Sequence, residues 1–163
     1  MTTCRLIATI GPPGSGKSTW RRKHLKRRMV LVNLDQNRRL LSCCGMDQDV
    51  TAHAVEMGVA TARKVLADGG IVLWDATNCE RASRLMLLVL AAEHGARAEA
   101  VVFLPPLAVT LARNARRDPK PCRVCGHARR VPDSVIEGMD TALRQDLPGL
   151  PDEGWRVRVG GAR

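Results

Sequence analysis

The amino-acid sequence predicts an α/β domain: a parallel sheet of about five strands with helices on both faces and a lid segment toward the C-terminal end. Three observations lead there. Short apolar runs recur along the chain, separated by helix-length segments, which is the rhythm of strand–helix–strand units. The first run leads into Gly11-Pro12-Pro13-Gly14-Ser15-Gly16-Lys17-Ser18, a complete G-x-x-x-x-G-K-[ST] loop set between a strand and a helix. At 163 residues, with 45% hydrophobic and 26% charged residues, the chain has the size and composition of one globular domain.

The elements follow in order. Residues 5–10 read as a buried strand and 17–28 as the helix after the loop, with Arg21, Arg22, Lys23, Lys26, Arg27 and Arg28 as a solvated face. Met29–Asn33 is a second strand, 36–44 a short helix and 45–47 a turn. A longer helix spans 49–67, with Val50, Ala54, Met57, Thr61 and Val65 along one face, and Gly69-Gly70 stops it. Residues 71–74 form the third strand, 80–94 a helix ended by Gly95, and 98–104 a fourth strand that Pro105-Pro106 closes. Residues 107–117 are helical, and the proline-rich, basic stretch 118–132 breaks the pattern as a loop. Val135, Met139, Leu143 and Leu147 mark a last helix, and 155–159 alternates as a last strand. There is no internal repeat or linker, so residues 1–163 read as a single domain with a lid insertion at about 113–132.

The loop carries the most specific chemistry. Its glycines let the backbone wrap tightly and turn N–H groups inward, where a helix N-terminus also favours negative charge. Gly11, Gly14, Ser15, Gly16, Lys17, Ser18 and Thr19 are the expected contacts of ATP or another nucleoside triphosphate. Lys17 would reach the β/γ-phosphates, and the Ser18 hydroxyl would bind Mg²⁺. A dinucleotide fingerprint fits less well, because G-x-G-x-x-G would end on Thr19.

Bulk properties limit the partners. Twenty-six Lys and Arg against sixteen Asp and Glu leave a net charge of +10, and the pI is near 10.2. Such an excess attracts polyanions without specifying one. No run approaches membrane-spanning length, so no membrane partner is expected. The first residues go straight into a strand with no room for a leader, which implies a cytoplasmic setting. In that setting the six cysteines are thiols or metal ligands rather than disulfides. The composition leaves the oligomeric state open.

In open parallel sheets, ligands bind at the carboxyl ends of the strands. The loop follows the first strand, Asp35 the second and Asp75 the third. Asp35 is a candidate base for a hydroxyl acceptor, or else the N-cap of the helix at 36–44. Asp75 would orient Mg²⁺, directly or through water, or only cap the next turn. Arg113, Arg116 and Arg117 lead into the lid, where arginines can fold over a triphosphate.

The set G-P-P-G-S-G-K-S-T-W, V-N-L-D-Q-N-R, W-D-A-T-N and A-R-N-A-R-R resembles the P-loop 5′-hydroxyl polynucleotide kinases. The likeness covers the phage polynucleotide kinase and the kinase module of bacterial RNA-repair polynucleotide kinase–phosphatases, and it runs from about residue 4 to 159. The D-x-x-R of Asp35 and Arg38 and the R-x-x-x-R of Arg113 and Arg117 are its more discriminating parts. The resemblance implies a P-loop kinase fold and transfer of the γ-phosphate of ATP to a 5′-OH end of DNA or RNA. Asp35 would be the general base, and Arg38 would hold the acceptor's neighbouring phosphate. Lys17 and Ser18 would serve the donor phosphates and Mg²⁺. Arg113 and Arg117 would grip the donor, Arg117 among the catalytic set, and Thr77 would lie near the acceptor.

Two features depart from that family. No phosphatase or ligase module accompanies the kinase part. The lid also carries Cys122-x-x-Cys125-Gly126, which reads either as a pair of exposed thiols or as one knuckle of a structural zinc site. His127, Cys43-Cys44 or a second molecule could complete such a site. Cys4 and Cys79 read as packing residues. Two other functions compete: a small-molecule kinase acting on a sugar, nucleoside or antibiotic hydroxyl, and a nucleotide-binding regulatory module without turnover.

Overall fold

The computed structural model describes residues 4–160. Five parallel strands form one sheet in the order β2-β3-β1-β4-β5. They are β1 (Arg5–Ile10), β2 (Met29–Asn33), β3 (Ile71–Asp75), β4 (Arg97–Val102) and β5 (Arg156–Val159). Thr9 pairs with Asp75 and Asn33 with Asp75 across the register, so the central strands end at one edge.

Alternation along the strands divides the core between the two faces of the sheet. Leu6, Ala8, Ile10, Val72, Trp74, Ala100 and Val102 point to the larger cluster. It is completed from α3 (Thr51–Ala67), α4 (Arg81–Glu93), α6 (Asp133–Asp146) and α7 (Leu150–Glu153). Ile7, Ile71, Leu73, Val101 and Phe103 form the smaller cluster, closed by Trp20 of α1 (Lys17–His24). On that second face Glu99 of β4 is buried between Arg5 at 3.3 Å and Arg158 at 2.7 Å, a charge ladder across three strands.

Several boundaries differ from the sequence expectation, each for a physical reason. Helix α1 stops at His24 instead of continuing to 28. It buries no residue, and like charges at Arg22 and Lys26 and at Lys23 and Arg27 would repel at i,i+4. A turn closed by Met29 N–H on the Lys26 carbonyl then starts β2. Helix α2 (Leu34–Leu41) begins two residues early because Asn33 caps it, accepting from Gln36 N–H at 2.9 Å. On α3 the buried stripe is Ala54, Gly58, Ala62 and Leu66, not Met57, Thr61 and Val65. A Cβ on Gly58 would lie 2.8 Å from Val32 and 2.9 Å from Trp74, so the smallest residues, not the most apolar, mark the packed face. On α6 the buried face runs through Ile136, Asp140 and Leu143, leaving Val135 exposed. Helix α5 (Leu107–Ala115) ends before Arg116 and Arg117, which therefore open the irregular segment that follows and are not part of the helix.

One buried cation holds the C-terminal helices to the rest. Arg84 of α4 is fully buried and donates to the Cys79 carbonyl, to Asp146 and to both oxygens of Glu153. Removing one member of such a network leaves the other charges unpaired. Arg84→Met is expected to cost about 3–5 kcal/mol of unfolding free energy, read from the shift in denaturant midpoint. A loss below about 1 kcal/mol, the size of a surface ion pair, would show that the network contributes little.

Candidate active site

The loop after β1 has the backbone of a phosphate cradle. Gly14 and Gly16 adopt φ of +88° and +111°, a region L side chains rarely occupy. A Cβ on Gly14 would also come within 2.8 Å of the Thr110 carbonyl of α5. Lys17 Nζ lies in the mouth of the loop, donating to the carbonyls of Gly11 at 2.6 Å and Pro12 at 2.8 Å. Ser18 and Thr19 are exposed on the first turn of α1, and Ser15 is buried.

Burial lowers the Lys17 ammonium to about 8, against the opposing pull of the Cys79 thiol, Asp75 and Asp35; the Arg117 charge adds to the lowering. A polyanion bound at the loop would favour the charged form. Binding at alkaline pH must then bring in a proton, and affinity for ATP should fall about tenfold for each unit above pH 8. Calorimetry at pH 8.5 in two buffers of different ionisation heat should show this uptake. Affinity flat to pH 9.5 would mean that Lys17 stays charged in the free protein.

Asp75, at the end of β3, is buried beneath the loop. Its Oδ1 accepts from Thr9 Oγ1 at 3.1 Å, and its Oδ2 from Asn33 Nδ2 at 2.8 Å and Arg21 Nη1 at 2.7 Å. It does not serve as a helix cap. The sequence reading missed Arg21, which it placed on a solvated face. The side chain instead reaches back under the loop, at 20% exposure, to pair with Asp75. Asn33, also missed, both caps α2 and holds Asp75. Its position at the end of a strand, before a helix, was the available signal.

Asp35 lies in the first turn of α2, and Asn33 supplies the cap, so capping does not account for it. Its carboxylate is 75% exposed and accepts from Arg38 Nη2 one turn later. Arg38 is buried, and its Nε donates to the Gly45 carbonyl at 2.9 Å. Thr77 accepts, through its carbonyl, from Gly11 N–H at 2.8 Å, tying the segment after β3 to the loop.

The three arginines at the end of α5 and just after it separate. Arg113 Nη1 reaches the Gly14 carbonyl of the loop at 3.3 Å. Arg117 is half-buried, its charge disfavoured first by burial, then by Arg129, and favoured by Asp35. Arg116 points out into solvent. Asn114, which the sequence reading gave no role, anchors the lid at both ends. It donates to the Val131 carbonyl at 2.7 Å and to Asp133, and accepts from Val131 N–H. Two surface hollows, one at Pro119 and 130–133 and one at Arg81, Asp146 and Glu153, include none of the candidate site residues.

The lid cysteines meet the pair after α2. Cys43 Sγ lies 3.6 Å from Cys122 Sγ, and Cys44 Sγ 3.6 Å from Cys125 Sγ. Cys79 is buried, as the sequence reading had it, and Cys4 is part-buried.

Residues 6–145 match the AAA_33 family, described as an AAA domain. The chain belongs to that family. Its P-loop kinase-like fold also recurs in solved structures. A chain in the Pnkp1/Rnl/Hen1 RNA repair complex is 25% identical, with a TM-score of 0.75 over 92% of this chain and 47% of that one. This AAA domain thus spans about half the length of that relative. The AvrRxo1-ORF1:AvrRxo1-ORF2 complex with ATP gives a TM-score of 0.68 at 17% identity, covering 98% of this chain and 55% of that one. A Deinococcus radiodurans tunicamycin resistance protein gives 0.56 at 16%, over 95% and 85%. The last two share the fold alone. No helix among the described residues is long and apolar enough to cross a membrane.

Proposed function

We propose that this domain is an ATP-dependent kinase that transfers the γ-phosphate to the 5′-hydroxyl end of a nucleic acid. The observation that carries the reading is the Asp35–Arg38 pair, one exposed carboxylate held by a buried guanidinium on the next turn. The Asp35 carboxylate favours the charge of both Lys17 and Arg117, so the base of the pair is within electrostatic reach of the cations around the loop. A 5′-hydroxyl in a polynucleotide is always followed by a phosphodiester. A base with a guanidinium beside it matches that pairing: Arg38 uses two of its five N–H donors on Asp35 and the Gly45 carbonyl, and the others would serve the phosphodiester. The net charge of +10 suits the same polyanion, and so does the likeness to a chain of an RNA repair complex.

In this reading Asp35 accepts the hydroxyl proton as the oxygen attacks the γ-phosphorus. The bond to the β–γ bridging oxygen breaks and ADP leaves. Lys17, Arg113 and Arg117 offset the charge on the transferring group. The donor set fits Mg²⁺ held by the Ser18 hydroxyl, with Asp75 acting through a water. Asp75 Oδ2 already accepts two hydrogen bonds and Oδ1 one, so a single lone pair stays available for that water. The ion would neutralise the phosphate oxygens.

The test is label transfer from γ-labelled ATP to 5′-OH DNA and RNA oligonucleotides, beside a panel of sugars, nucleosides and antibiotic alcohols. Transfer to the oligonucleotides, with acceptor KM raised by Arg38→Ala, is the expected result. Label appearing only on a small alcohol, or ATP binding without transfer to any acceptor, would overturn the assignment.

A further inference from the structure

We propose that Cys43, Cys44, Cys122 and Cys125 together bind one zinc ion that fastens the lid to the end of α2. The four sulfurs come from two segments about eighty residues apart in sequence, yet all lie within 4.8 Å of one another. The facing pairs are 3.6 Å apart. A tetrahedron with Zn–S bonds of about 2.3 Å has an S···S edge of about 3.8 Å. A disulfide would need about 2.05 Å.

The local backbone has the form of a metal knuckle. Pro121 and Ala128 bridge antiparallel. Cys122 N–H donates to the His127 carbonyl at 2.8 Å, and Gly126 N–H to the Cys122 carbonyl at 2.9 Å. Gly126 takes φ of +76° to close the turn. The N–H groups of Val124 and Cys125 are aimed at the Cys122 sulfur, and that of His127 at Cys125. Amides directed at sulfur are what a thiolate requires. His127 lies with Asp47 beside Cys125, its Nδ1 3.7 Å from the carboxylate. The four sulfurs already complete a tetrahedral set without it.

The lid also needs such a link. No residue from 116 to 131 is fully buried, and Val124 is 80% exposed. Apolar contact therefore offers little against the entropy of ordering this loop. A metal–ligand set supplies it directly. The same link bears on the acceptor side. Cys43 and Cys44 directly precede Gly45, whose carbonyl holds Arg38, and a Cβ on Gly45 would meet the Asp35 carbonyl oxygen at 2.5 Å. The ion would thus join the loop bearing Arg117 to the helix bearing Asp35 and Arg38. It would make the lid a fixed wall and not a freely swinging one. Tetrahedral four-thiolate sites take zinc or iron.

The experiment is elemental analysis of the full chain purified under reducing conditions, with X-ray absorption at the metal edge. One zinc per chain with four sulfurs at about 2.3 Å is expected. Thiol titration should find the exposed Cys43 protected until a chelator is added. Trypsin should cut after Arg123, Arg129 and Arg130 only once the metal is removed. Cys122→Ser should lose the zinc, while Cys4→Ser keeps it. Iron in place of zinc, a shell of three sulfurs and one nitrogen, disulfides between the pairs, or four freely reactive thiols after reconstitution with zinc would each overturn the proposal. None of these readouts depends on kinase activity.

Discussion

Asp35→Asn is expected to slow phosphoryl transfer by about 10²–10⁴-fold while leaving ATP affinity nearly unchanged. Asparagine keeps the volume and an oxygen able to accept from Arg38 Nη2, so the acceptor-side geometry survives. What disappears is the group that takes the hydroxyl proton. Because Asp35 also acts on the charges of Lys17 and Arg117, a small change in nucleotide affinity is allowed. Single-turnover rates on a 5′-OH oligonucleotide, with nucleotide affinity measured separately, distinguish these effects. A rate within about tenfold of the parent, less than general-base catalysis typically contributes, would remove Asp35 from the reaction.

Lys17→Met should reduce turnover on the order of 10²–10³-fold, the usual loss when one donor to developing charge is deleted. It should weaken ATP binding as well. The methionine stem is close to lysine in length, so the change removes chiefly the ammonium and its two bonds to the Gly11 and Pro12 carbonyls. Burial lowers the Lys17 ammonium to about 8, so the folded domain disfavours this charge. The unfolded chain holds the proton up to an ordinary lysine value, and folding is penalised throughout the pH range below about 8. The variant is therefore expected to melt no lower than the parent at pH 7, and slightly higher. A large drop in melting temperature would show that the ammonium is structural, and retained turnover would remove it from catalysis.

Much of the candidate site was legible because a phosphate-binding loop needs particular residues at contiguous positions. Gly14, Gly16, Lys17 and Ser18 sit in one short loop, and the positive φ of its glycines is a local backbone demand. Asp35 and Asp75 could be placed because strand ends in a parallel sheet converge on one edge. Arg21 was not legible, since a cation on a basic helix looks the same in sequence whether it meets water or a buried carboxylate. The buried stripe of α3 was misplaced because hydrophobicity ranks Met57 and Val65 above Gly58, while packing against Trp74 rewards the smaller residue.

By itself, the sequence determined the order of strands and helices, the glycine-rich loop and the strand ends that share one edge of the sheet. These follow from periodicity and short-range backbone requirements, which neighbouring residues carry. Tertiary structure alone decided that Cys43 and Cys44 face Cys122 and Cys125, that Asn114 closes the base of the lid, and that Arg84 holds Asp146 and Glu153. Each joins segments through space, and the free energy of such a contact depends on a distance that only the folded chain sets.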